Sequence, residues 1–219
     1  MATTAQAKRD DRRDAILDAA RECFLAEGYA ATSMSGIAVR LGGSKGTLYN
    51  YFKSKEELFD AFVRRACGHL AVNLFSQPED GRDLRTRLVA MADAFITHLL
   101  SADALALYRL VVGEGARFPE LGRAFYAAGP QVVQARLQAL FADLMAEGRL
   151  READPVVAAA HFKDMAVSGL HHMRLWGVIG DPTREEIAAQ AKAAADTFLR
   201  AYAPPAFPRG GDGPRVATP

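Results

Sequence analysis

Apolar residues return every third or fourth position along most of the chain, the spacing of helices that each bury one face. Ile16, Leu17, Ala19, Ala20, Cys23 and Phe24 open the pattern, and Gly28 closes it as a left-handed C-cap would, predicting a helix over about 10–27. Thr32 and Ser33 are good N-cap types before Met34, Ile37, Ala38 and Leu41, a two-turn helix that ends at Gly42-Gly43. Ser44 can cap a third short helix with Leu48, Tyr51 and Phe52 on one side. Ser54 and Glu57 have the spacing of a capping box, opening a fourth helix with Leu58, Phe59, Phe62 and Val63 that reaches about Leu74, before Gln77-Pro78.

Further amphipathic stretches are expected at about 83–100, 103–115, 118–127, 130–147, 155–177 and 183–202, separated by Pro and Gly breaks. Ala is abundant while Val, Ile and Thr are sparse, which favours helix over sheet. The expected class is all-α with about nine helices. The last 17 residues, 203–219, hold five prolines and three glycines without apolar periodicity and are expected to be disordered or loosely attached.

Two short helices joined across Gly42 and Gly43 suit a helix-turn-helix, because glycine lets the chain reverse without a Cβ clash. The solvent side of the second helix carries Lys45, Thr47, Tyr49 and Asn50, which are donors and hydroxyls rather than a Glu/Lys mixture. Such a surface suits phosphates and base edges.

The run from Ala30 to Ala38, then Gly42 to Leu58, resembles the DNA-binding signature of the TetR family of transcriptional regulators. Helix 1, with its Phe24-x-x-x-Gly28-Tyr29 ending, extends the similarity to about residues 10–62. The resemblance implies a three-helix DNA-binding domain at 10–62 and a larger α-helical dimerisation and effector-binding domain at 63–202. It also implies roles by position. Ser44 to Asn50 match the recognition helix, with Lys45 and Thr47 reaching base edges or phosphates, Gly46 allowing close approach and Tyr49 meeting a phosphate. Thr32, Ser33 and Lys55 sit at helix starts, where N-termini meet phosphate oxygens. Gly43 departs from the pattern, since the family commonly places a small apolar residue there.

The second half is rich in aromatic residues and methionine, which serve either as plain core or as cavity walls. The resemblance implies an apolar ligand pocket, for which Phe95, Tyr108, Phe125, Phe162 and Met165 are the candidates. The stretch 156–178 is apolar on nearly every side, with Ala158, Ala159, Ala160, Ala166, Ser168 and Gly169 allowing close helix approach. With 130–147 it is expected to form a four-helix homodimer interface. A two-fold dimer then reads a roughly palindromic double-stranded operator, and a small hydrophobic effector releases it. Rival readings are a ligand-independent regulator and an all-α enzyme or cofactor-binding bundle.

Charge and composition narrow these alternatives. Net charge is +1, but residues 1–55 hold nine Lys/Arg against six acids, so the basic excess sits on the expected DNA-binding end. Two cysteines, Cys23 and Cys67, without CxxC spacing offer neither a disulfide scaffold nor a metal knuckle, and they read as buried thiols or as a redox sensor. His161, His171 and His172 lack a Glu-x-x-His partner, and no nucleophile, base and acid set stands out, so neither a metal, a cofactor nor an enzyme activity is expected. The N-terminus lacks the apolar run of a signal peptide and no apolar run reaches about 18 residues, so a cytoplasmic protein without a membrane span is expected.

Overall fold

A computed structural model describes residues 4–75 and 83–205, which form helices and no strand. The tail expected to be disordered lies, from residue 206 onward, outside the described residues. The helices are α1 (Thr4–Glu27), α2 (Met34–Arg40), α3 (Lys45–Tyr51), α4 (Lys55–Phe75), α5 (Leu84–Leu99), α6 (Ala102–Glu114), α7 (Pro119–Ala128), α8 (Pro130–Ala146), α9 (Pro155–Val167), α10 (Leu170–Leu175) and α11 (Arg184–Tyr202). Every stretch read from periodicity is present.

Their ends follow local chemistry. Ser33, Ser44, Asp83, Ser101 and Asp154 each accept a backbone N–H at the start of the helix they cap. Thr183 and Glu186 close a reciprocal capping box on α11. The box expected on α4 is offset by one residue: Ser54 accepts the N–H of Glu57, whereas the Glu57 carboxylate takes the N–H of Lys53 rather than that of Ser54.

The ten stretches read from periodicity, one more than the nine helices expected, become eleven because the stretch expected to run unbroken over 155–177 is two helices. Its backbone leaves the helical region at Ser168, and Gly169 sits at φ 86°, a left-handed conformation that a Cβ disfavours. The opened turn is not left unsatisfied. Gln190 of α11 donates its amide to the Ala166 carbonyl and accepts the N–H of Leu170, replacing the missing rungs of the ladder.

Two apolar cores organise the fold. The first gathers Ile16, Leu17 and Phe24 of α1, Ile37, Leu48, and Leu58 and Phe62 of α4, and it also takes Leu107 and Val111 from α6 and Leu121 from α7. The second joins α5, α8, α9 and α11 around Phe141, Phe162 and Phe198, whose ring centroids lie 4.7–5.6 Å apart. The bidentate pair Arg85–Asp196 and the pair Arg184–Asp93, in which one guanidinium nitrogen meets both carboxylate oxygens, flank the α5–α11 contact, but they are partly solvent-exposed and contribute little beside the buried rings.

Candidate nucleic-acid interface and ligand cavity

Short helices α2 and α3 are too brief to be stable alone, so packing must hold them. Ile37 and Leu48 are fully buried and Phe52 nearly so, pinning both helices onto α1 and α4. Gly42 makes the turn between them at φ 66°. Gly43 has a different reason. A Cβ there would lie 2.9 Å from an Arg12 guanidinium nitrogen, so the space given up by the residue type common in the resembled family is filled by an arginine of α1.

With the apolar side fixed inward, the opposite side of α3 faces out. Ser33, Ser44, Lys45, Gly46, Tyr49 and Asn50 are exposed, Thr47 is half-buried, and the Lys45 ammonium lies 5.8 Å from the centre of the Tyr49 ring. None of these seven expected contact residues is buried. The Ser33 and Ser44 hydroxyls are engaged as caps, Ser44 with Thr47 at 3.2 Å.

Two other expected contacts are differently employed. Thr32 is buried, and its hydroxyl donates to the Gly28 carbonyl at 2.7 Å. The Lys55 ammonium donates to the carbonyls of Tyr29 and Thr32 at 2.8 and 3.0 Å and sits 4.2 Å above the Tyr29 ring. Both therefore bind the α1–α2 turn together instead of standing free for a phosphate. The Tyr29 hydroxyl beneath them donates to Glu56 at 3.2 Å, and burial first, then the Glu56 charge, pushes its pKa well above the ordinary value.

A cavity of about 670 Å³ lies between α1, α4 and the helices α5 to α10. Phe95, Tyr108 and Phe125 line it as expected, joined by Phe62, Leu107 and Val133. Phe162 and Met165 do not. Phe162 is 2% exposed inside the second core, against Phe141 and Phe198, and Met165 packs on that core's edge, so both are corrected to structural roles.

His171, Lys163 and Cys67, which no pattern singled out as pocket residues, are also in the wall. The only available signal for His171 was Ser168-Gly169 inside an otherwise helical run, since the break there decides which way α10 turns. Burial, then its neighbour His172, holds the His171 imidazole below its ordinary pKa, and burial pushes the Cys67 thiol up to about 11. His161 bonds Tyr202 at 2.7 Å, and His172 stacks on Trp176.

A compact helix-turn-helix with its polar face outward, set on a larger helical unit that encloses a cavity, is the architecture of a DNA-binding transcriptional regulator. Comparison with known proteins agrees. Residues 16–62 match the model described as bacterial regulatory proteins, tetR family, and residues 86–204, more than half the chain, match the C-terminal domain of AefR-like transcriptional repressors. The chain belongs to the TetR family of transcriptional regulators.

Among curated relatives, it is 41% identical over 87 residues to the HTH-type transcriptional activator FasR of Mycolicibacterium smegmatis, covering 40% of each chain. It is 30% identical over 121 residues to the HTH-type transcriptional regulator UidR of Escherichia coli, covering 55% of this chain and 60% of UidR. The chain thus matches less than two thirds of either relative's length. Among solved structures, the flavonoid-responsive regulator FrrA is 33% identical with a TM-score of 0.79, covering 90% of this chain and 100% of FrrA. A TetR family regulator of Pseudomonas syringae pv. tomato is 28% identical with a TM-score of 0.68, covering 90% and 98%.

Proposed function

We propose that this chain is a homodimeric regulator that reads a roughly palindromic operator through α3 and releases it when a small apolar molecule fills the cavity. Residues 10–62 are the DNA-reading unit, 63–202 the dimerisation and effector unit. The observation that carries this reading is that one helix serves both: Ile16, Leu17, Ala20 and Phe24 of α1 form the core beneath α2 and α3, while Asp18, Arg21 and Leu25 of the same helix line the cavity. An occupant that binds one arrangement of that wall better than another shifts the population competent for DNA. That FrrA is named a flavonoid-responsive regulator supports a small organic effector.

The dimer face is placed on α9, α10 and α11. Val156, Val157, Trp176 and Val178 are the large apolar side chains exposed there, Trp176 by 72%, and α11 adds a stripe of exposed alanines at 188, 189 and 193. Helix α8, the partner expected from the sequence, exposes Gln131, Arg136 and Asp143 and no large apolar residue, because Val133, Leu137, Phe141 and Leu144 are spent on its own core. A two-fold dimer sets the two α3 helices about 34 Å apart, one turn of duplex.

Selection of bound sequences from a random duplex pool, with sedimentation of the protein alone, tests this. The expected result is an enriched inverted repeat and a dimer. A monomer that enriches no sequence overturns the proposal.

A further inference from the structure

The cavity wall is charged, and its two arginines are already engaged. Arg21 pairs with Asp103, Arg65 with Asp18 at 2.5 Å, and Lys163 with Asp164 at 3.6 Å. An anionic ligand would have to compete with these aspartates for Arg21 or Arg65, which leaves Lys163, beside the exposed Asp164, as the wall's accessible cation. His171 is in a different condition. It lines the cavity, is 4% exposed, and its Nδ1 has no hydrogen-bond partner.

A buried polar atom without a partner carries an unrecovered desolvation cost, and native structures leave few of them. At the wall of a cavity, the missing partner is naturally a group on the occupant. Because burial keeps His171 below its ordinary pKa, the ring is neutral near pH 7 and offers one acceptor nitrogen. The strongest pairing for a carboxylate is with the imidazolium, which the same burial opposes. A hydroxyl needs only the neutral ring.

The surroundings say what carries the hydroxyl. Tyr108 stands edge-on to His171, 5.6 Å away at 90°, and edge-on to Phe125, 6.1 Å away at 82°. With Phe95 and Phe62 nearby, these rings offer the edge and face contacts that flat aromatic molecules prefer. The volume suits a molecule of two or three rings, since such pockets commonly run from roughly 300 to 1,000 Å³.

We propose that the cavity selects an uncharged aromatic molecule bearing a ring hydroxyl, with the His171 imidazole accepting its hydrogen bond and Tyr108 and Phe125 packing beside its ring. This rests on the reading of the cavity as an effector site and adds the chemistry of recognition. His171 is the specificity-determining residue, and contact with the hydroxyl fixes its tautomer.

Calorimetric titration of the full chain with 2-naphthol, naphthalene and 2-naphthoate, which share one ring frame, tests it. The wild-type protein should bind 2-naphthol about tenfold more tightly than naphthalene, the effect of one hydrogen bond to an otherwise unsatisfied group, and more tightly than 2-naphthoate. In H171L and H171F the preference for naphthol over naphthalene should vanish while naphthalene binding persists. Equal binding of naphthol and naphthalene by the wild type overturns the hydroxyl anchor and leaves the effector site standing, as does tightest binding of naphthoate. Binding of none of the three overturns the anchor and the effector reading together. Should either variant fail to fold, the wild-type comparison alone decides.

Discussion

The carboxylate of Glu114, at the last turn of α6, accepts the backbone N–H of Tyr29 at 2.7 Å, and its second oxygen takes the N–H of Ala30 at 2.8 Å. One side chain thereby ties the helix carrying Leu107 and Tyr108 into the cavity to the turn that leads into α2. The contact also explains Gly28. A Cβ there would come within 2.7 Å of the same carboxylate, and the backbone is left-handed at φ 84°.

Replacing Glu114 by Gln keeps one acceptor oxygen and removes the charge and the second acceptor. Charge-assisted hydrogen bonds of this kind are worth about 1.5–3 kcal/mol each, so Glu114→Gln should cost about 1–2 kcal/mol of stability. Chemical denaturation gives that figure. The more telling readout is operator affinity with and without a cavity ligand, where the difference between the two states should shrink.

The exposed and the engaged lysines should separate in their effects. Lys45→Ala and Tyr49→Phe should each weaken operator binding by about 1–3 kcal/mol, with the melting temperature unchanged. Lys55→Met removes the donor to two carbonyls in the α1–α2 turn, so it should lower stability by about 1–3 kcal/mol. Thermal melts and gel shifts on the three variants distinguish a contact residue from a brace.

The helix-turn-helix was legible because its signals are local. Caps, two-turn periodicity and the Gly42-Gly43 turn fix α2 and α3 without reference to distant residues. What was not legible depends on contacts across the fold. The role of Lys55 is set by carbonyls 23 and 26 residues earlier in the chain. Phe125 and Phe162 are the same residue at the same kind of spacing, and only tertiary packing sends one to the cavity and the other to a sealed core. The break at Gly169 was hidden because apolar periodicity continues on both sides, and a glycine inside a helix costs only about 1 kcal/mol. The face of α10, and with it His171, was therefore unreadable.

That distinction between the two phenylalanines is measurable. Phe162→Ala empties a site bounded by Phe141 and Phe198 and should cost about 3–5 kcal/mol. Phe125→Ala enlarges an existing cavity and should cost less. It should alter ligand affinity more than Phe162→Leu, a milder variant that keeps the core filled. Urea denaturation and calorimetry of the three variants check the order.

Cys67 should be a slow thiol. With its pKa moved from 9.0 to about 11 by burial, it holds far less thiolate at pH 8 than an ordinary cysteine. Alkylation follows the thiolate, so its iodoacetamide rate should be about a hundredfold lower than that of a free thiol. The raised pKa also fixes a sign. The folded state keeps the proton that the unfolded chain releases, so this contribution to stability is present below pH 9.0 and lost as pH rises towards about 11. Peptide mapping by mass spectrometry after timed alkylation reads the rate at this site alone.

Helix α10 is six residues long, yet it turns one ring inward, His171, while its C-cap, Trp176, faces outward. It hangs from α9 by a single left-handed glycine, and the side chain of Gln190 spans the gap in place of a continuous ladder. A pivot there would move both rings together. In the homodimer proposed above, whatever settled against the inner ring would also set how the outer one meets the neighbouring protomer, so the occupancy of the interior and the fit between subunits would be two readings of one short lever.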